Sequence, residues 1–175
     1  MTDKNQNDFP IPTILSTLVT MVCIIPGIGL LMLIFRETGI THYYFGFLFM
    51  IYWGAIMQMA MPAFLPSLIG SLTGLAIAWM PLGLAPIIGP TAYVISIIAI
   101  ATLVFCFLRG HFRVVVNIAT MLFLTLSGIP ELQLVENAPQ MVAAVIIAAL
   151  YMGAVAIVMN RLMARRAQAS QVMSN

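Results

Sequence analysis

Charge is what this sequence has least of. Its seven basic and five acidic residues make up 7% of 175 positions, against about a quarter in soluble domains. All of them fall in the tails or in short connections, and no Asp, Glu, Lys, Arg or His lies inside an apolar run. Proton relays and ion-coupled pumps place such groups within their helices. A hydrolase or protease needs a paired acid, a nucleophile with its base, or a metal-ligand cluster. The sequence therefore predicts neither an enzyme nor a proton-coupled transporter. Cysteine is almost as scarce: Cys23 and Cys106 are far apart, each within an apolar segment and without metal-ligand spacing, so they read as small packing residues and no cofactor or metal is expected. The net charge of +2 comes from Arg clusters beside apolar helices, a membrane-topology signal that gives no reason to expect nucleic acid.

What the chain has instead is apolar length. Hydrophobic residues form 62% of it and its mean hydropathy is +1.08. A bilayer core of roughly 30 Å takes about 20 apolar residues per helix, so about six spans nearly exhaust the chain. The reading is an all-α integral membrane protein with about six transmembrane helices: a cytoplasmic tail over 1–11, a transmembrane domain over 12–160 and a basic cytoplasmic tail over 161–175, expected to fray. The first helix is expected over 12–35, uncleaved because no small-residue cleavage site follows it, and loosened at Pro26, Gly27 and Gly29. Pro62 and Pro66 split the long apolar run after Tyr44 into a second helix over 44–60 and a third over 64–79. The stretch 80–90, with three Pro and two Gly but no polar side chain, is expected to leave the helix and lie at the interface or re-enter the membrane. The fourth, fifth and sixth helices are expected over 91–108, 114–127 and 140–159.

This count places Lys4, Arg109, Arg113, Arg161, Arg165 and Arg166 on one side and only Arg36 on the other, which puts both termini in the cytoplasm by the positive-inside rule. At a shift of 49 residues Pro81 falls on Pro130, Pro90 on Pro139 and Ile97-Ile98-Ala99 on Ile146-Ile147-Ala148. That suggests a tandem helical-hairpin repeat, with helices three and four repeated as five and six.

Amides and hydroxyls are the polar groups that do enter the predicted spans: Gln58, Ser67, Ser71, Thr73, Asn117 and Thr120. They are candidates to line a path for a neutral solute, with Trp53 as a constriction, or else to bond neighbouring helices and their own backbone. Trp53 near mid-helix needs a partner for its indole N–H, and a backbone carbonyl would serve. Gly70, Gly74 and Ala78 recur every fourth residue and make a face for close helix packing; Ala144 with Ala148 and Ala149 with Gly153 make another. His42 and His111 flank helix ends without a second ligand in sequence. The fourteen Met residues are scattered over several helices and fill irregular space.

The kinked apolar hairpins, the short basic turn Arg109 to Arg113, and the closing run from Ser127-Gly128 through an acidic loop to Pro139 and a Gly-containing last helix carry a resemblance. Over about residues 44–160 the chain resembles the small bacterial inner-membrane proteins catalogued as domain of unknown function 1097. The apolar segment from Met59 to Pro66 departs from it, since a more polar turn is expected there. The resemblance implies a bacterial inner-membrane location and a transport role, with no catalytic residues to carry over. The leading expectation is a passive channel or facilitator for a small uncharged or weakly charged solute, surrounded by membrane lipid and assembled as a homo-oligomer or with another membrane subunit. The rival is a non-conducting accessory or structural subunit of a larger transport or enzyme complex.

Overall fold

The computed structural model describes residues 14–129, 132–133 and 137–174, with side chains from 24 to 162 and at 164 and 165. The 1–11 tail, Pro130, Glu131 and Glu136, and the side chains of Cys23 and Arg166, lie outside the described residues. Among the described residues six α-helices follow one another: α1 (Ile14–Glu37), α2 (Tyr44–Phe49), α3 (Met61–Ile88), α4 (Thr91–Arg109), α5 (Ile118–Ser127) and α6 (Ala138–Ser174), with a π-helical segment (Met50–Ile56) continuing α2. Among the described residues there is no strand. Among the described residues three stretches are long and apolar enough to cross a membrane: α3, α4 and the Ala138–Leu162 part of α6.

Two boundaries differ from the sequence reading for reasons of backbone satisfaction. The chain breaks at 57–60, before Pro62 and Pro66, which puts Pro62 in the opening turn of α3, where a missing N–H costs nothing. α3 then runs unbroken through Pro66, Pro81 and Pro86 to Ile88, so 80–90 is no connection. Leaving the helix there would strand a whole row of amides among apolar side chains, whereas Pro81 and Pro86 each remove only one bond. The turn comes at Gly89, whose φ of 61° suits glycine, and α4 starts directly after Pro90. α6 also exceeds expectation, continuing as helix to Ser174 where a frayed tail was expected.

The second and fifth helices fall short of a full span. Tyr44–Ile56 and Ile118–Ser127 are apolar but short, and ten residues of α5 rise only about 15 Å. α5 starts at Ile118 because Asn117 caps it: its side chain accepts from the Thr120 amide while the Thr120 hydroxyl accepts from the Asn117 amide. The hairpin repeat survives only in part. Pro90 and Pro139 both sit at helix starts, but α3 has 28 residues and α5 ten.

Helix directions follow from the contacts. The Tyr151 hydroxyl donates to the Gly27 carbonyl (2.9 Å) and the Thr41 amide donates to Gln140 Oε1 (3.3 Å), so α6 runs antiparallel to α1. Gly46 lies against Ala144 and Ala148, and Gly54 against Met152, so the α2 and π segment runs parallel to α6. Gly153 meets the Phe64 ring near the start of α3, while Gln133, just before α6, bonds Ala78 farther along α3, so α3 is antiparallel to α6. The core gathers where these meet: Leu31 and Phe35, Phe45 and Phe49, Leu75, Phe123, and the Met141, Ala144, Val145, Ala148 face of α6. The small residues seen on α6 in sequence are thus used within the chain. α4 is peripheral. Only Ala92, Ser96 and Leu103 are buried, where it packs on α3, and the rest of its surface is largely exposed and apolar.

Candidate functional site

Four of the polar candidates, Ser67, Ser71, Asn117 and Thr120, converge on one place, the seam where α3 and α5 lie side by side and parallel. Gly70 and Gly74 permit it. A Cβ on Gly70 would strike the Asn117 amide group, and one on Gly74 would lie 2.5 Å from the Thr120 carbonyl oxygen and 2.9 Å from the Leu124 nitrogen. The two backbones are therefore as close as glycine allows. Ala78 extends the row, buried, and its carbonyl accepts from Gln133 Nε2 at 3.3 Å.

For the candidate residues the hydrogen-bonding capacity is already committed, whereas the buried Trp79 Nε1 on α3 and Ser127 Oγ on α5 have no partner. Ser67 donates to the Ala63 carbonyl (2.6 Å), Ser71 to Ser67 (2.8 Å) and Thr73 to Ile69 (2.8 Å). These bonds to the carbonyl four residues back are what an apolar surrounding imposes on a hydroxyl. The Thr120 hydroxyl donates to the Val115 carbonyl (2.7 Å) while accepting from the Asn117 amide (3.1 Å). Asn117 Nδ2 crosses the seam to the Pro66 carbonyl (2.8 Å). Asn117 thus does two jobs that tie α5 to α3, and its N-x-x-Thr spacing was the readable sign of a cap. Asn117→Leu is expected to lower stability by about 1–2 kcal/mol through loss of the cap and the cross-seam bond, measured as a shift in the detergent-unfolding midpoint.

Two other candidates lie elsewhere. Gln58 is not on a helix. It is exposed in the turn that ends the π segment, where Gln58 and Met59 have φ of 50° and 54°. Trp53 is fully buried against Phe64 (ring centroids 4.9 Å) and Phe49 (6.5 Å), and its indole N–H donates to the Ala60 carbonyl (3.1 Å). It clamps the same turn, whose amides Met57 and Met59 donate back to Tyr52 and Trp53. The structure therefore brings Ser67, Ser71, Asn117 and Thr120 together with Gly70, Gly74 and Ala78. Gln58 and Trp53 stand apart from them, and Thr73 is bonded to its own helix.

Compared with protein-family models, curated proteins and solved structures, the chain matches none. Its chemistry must be read from the residues alone. Among the described residues no three His, Cys, Asp or Glu side chains come together. His42 is paired through Nδ1 with the Tyr44 hydroxyl (2.7 Å), His111 is exposed, and the Arg109 guanidinium lies over the Phe105 ring (5.5 Å). One open cavity of about 360 Å³ follows α2, with Phe45, Leu48 and Ile51 on one wall, Leu126 and Leu132 on the other and Tyr44 at its rim. Nothing in the sequence pattern pointed to it, because its walls come from segments far apart in the chain and are ordinary apolar residues.

Proposed function

We propose that this chain is a multi-pass helical protein of a bacterial inner membrane with both termini in the cytoplasm, serving as a non-conducting accessory or structural subunit of a larger membrane assembly. The observation that carries this reading is the α3–α5 seam. The hydroxyls and the amide best placed to line a path are bonded to backbone: Ser67, Ser71 and Thr120 to carbonyls close by in their own segment, and Asn117 across the seam to α3. The peripheral α4, with exposed Tyr93, Val94, Ile97 and Ile98, supplies an apolar side for lipid or a partner subunit. Passive conduction of a small neutral solute is the second reading, favoured by spans without ionisable groups, and it then requires a path between copies.

Purification in mild detergent separates the readings. Recovery of the chain with a second membrane protein, and liposome solute efflux no faster than in protein-free vesicles, is the expected result. A symmetric homo-oligomer that alone accelerates efflux of neutral solutes would reject the accessory role. Orientation is tested by cysteine labelling of intact cells in a background without Cys23 and Cys106. Thr38→Cys is expected to react with a membrane-impermeant maleimide and Gln168→Cys only after lysis. Labelling of both before lysis would overturn the cytoplasmic placement of the termini.

A further inference from the structure

We propose that the basic turn between α4 and α5 holds the head group of an anionic glycerophospholipid, with the Arg109 and Arg113 guanidiniums on its phosphate and the Leu108 and Phe112 side chains among its acyl chains. The inference rests on the membrane reading above, which puts this turn at the cytoplasmic surface, and gives that surface a specific ligand.

Charge of one sign gathers here. No acidic residue lies between Glu37 and Glu131. Glu37 closes α1 beside the start of α6, whereas α4 ends toward the far end of α6. Both guanidiniums are held by the chain itself. Arg109 lies over the Phe105 ring, 5.5 Å from its centre. Arg113 folds back on the turn and donates from Nε to the Gly110 carbonyl (3.3 Å), so close that a Cβ on Gly110 would stand 3.2 Å from its Nη2. A guanidinium is a planar fork of five N–H donors that matches a phosphate, and the Gly110 bond leaves the Nη donors of Arg113 for a ligand.

The same turn carries an apolar half. Leu108 is 76% and Phe112 74% exposed, and through Phe105 they continue the exposed flank of α4. Phe112 has a left-handed φ of 54°, which disfavours a bulky side chain, yet its backbone is firmly tied: its carbonyl accepts from the Val115 and Val116 amides at 2.8 Å. A strained residue fixed in this way points to a role for its side chain. A phenyl ring held outside the fold, between two cations and beside an apolar flank, is complementary to an anionic lipid. An acidic protein segment would match the cations and leave the flank uncovered.

The full chain is purified in mild detergent, and its binding of phosphatidylglycerol and of phosphatidylcholine with the same acyl chains is titrated by mass spectrometry of the intact complex. Phosphatidylglycerol is expected to bind about 25-fold more tightly, about fivefold for each Arg at an anionic head group. Arg109→Gln with Arg113→Gln is expected to abolish the preference, and the two single changes, each costing about fivefold, serve if the pair folds poorly. Arg161→Gln with Arg165→Gln removes the same charge from the end of α6 and is expected to leave the preference intact. Phe112→Gly separates ring from backbone: the unfolding midpoint is expected to rise as the strain is relieved, while binding of both lipids weakens.

Equal binding of the two lipids by wild type, or a preference that survives loss of both Arg109 and Arg113, would overturn the assignment. Equal loss on changing Arg161 and Arg165 would do the same, since it would reveal only general attraction to positive charge. An acidic protein that co-purifies and is released by the Arg109 and Arg113 changes, with no lipid preference, would give the turn to a protein partner and reject the lipid. Carbonate washing of membranes keeps this failure apart from failure of the membrane reading. Protein that resists extraction but shows no head-group preference sinks the site alone, and protein that washes off sinks both.

Discussion

Gly74→Ala is expected to destabilise the protein by about 3 kcal/mol, the upper end of ordinary overpacking costs, and to separate α3 from α5. One methyl group has this effect because of what it meets. The added Cβ would stand 2.5 Å from the Thr120 carbonyl oxygen, 2.9 Å from the Leu124 nitrogen and 3.0 Å from Phe123 Cβ. Two of these are main-chain atoms of a helix, which cannot swing aside as a side-chain tip does. The helices must move apart, and the Asn117–Pro66 and Gln133–Ala78 bonds on either side of Gly74 lengthen with them. Gly83→Ala, nine residues on in α3, is the internal control. A Cβ there meets nothing within 4 Å, and removing a helical glycine is expected to stabilise by roughly 0.5–1 kcal/mol. The two variants should therefore shift the unfolding midpoint, followed by circular dichroism in mixed detergent, in opposite directions. Equal shifts would falsify the close seam.

Trp53→Ala is expected to cost about 4 kcal/mol, as removal of a large fully buried aromatic does. The more informative change is Trp53→Phe. It keeps a ring against Phe49 and Phe64 but removes the donor to the Ala60 carbonyl, and a loss of about 1 kcal/mol is expected. The bond closes a turn in which Gln58 and Met59 are consecutive left-handed residues, each carrying a cost of order 1–2 kcal/mol for a residue with a Cβ. With the clamp gone the turn has less to hold it in that conformation. Limited proteolysis of Trp53→Phe is expected to cut first at 57–60. Replacing Gln58 by Gly in the same variant should restore part of the lost stability. Were Trp53 a pore constriction instead, Trp53→Phe would change solute flux and leave the turn resistant.

The helical class, the approximate position of the six helices and the close-packing face of α3 were legible because each depends on local composition or a four-residue period. Helix boundaries were less so. Pro62, Pro66, Pro81 and Pro86 all look like breaks in a one-dimensional reading, yet the chain turns at Gln58-Met59 and at Gly89. What decides is whether the freed amides can find partners, and that depends on neighbours the sequence does not place. Asn117 and Thr120 were chosen for their polarity, and their spacing as a capping pair was the stronger signal. Ser67 and Ser71 carried no mark distinguishing a hydroxyl turned to a passage from one turned to its own helix. The cavity beside α2 was invisible, since Leu126 and Leu132 meet Leu48 and Ile51 only through the packing of α5 and α2.

At 28 residues, α3 would measure about 42 Å if straight, against a hydrocarbon layer of roughly 30 Å. With no charged side chain between Met61 and Ile88, neither end is anchored to water by its own residues. In a bilayer such a rod leans over or thickens the lipid around it. Its neighbours α5 and the α2 and π segment are too short to follow, so lipid must thin beside them. On the proposed membrane placement the protein meets thick membrane on one flank and thin membrane on the other, and its lateral sorting should respond to acyl-chain length.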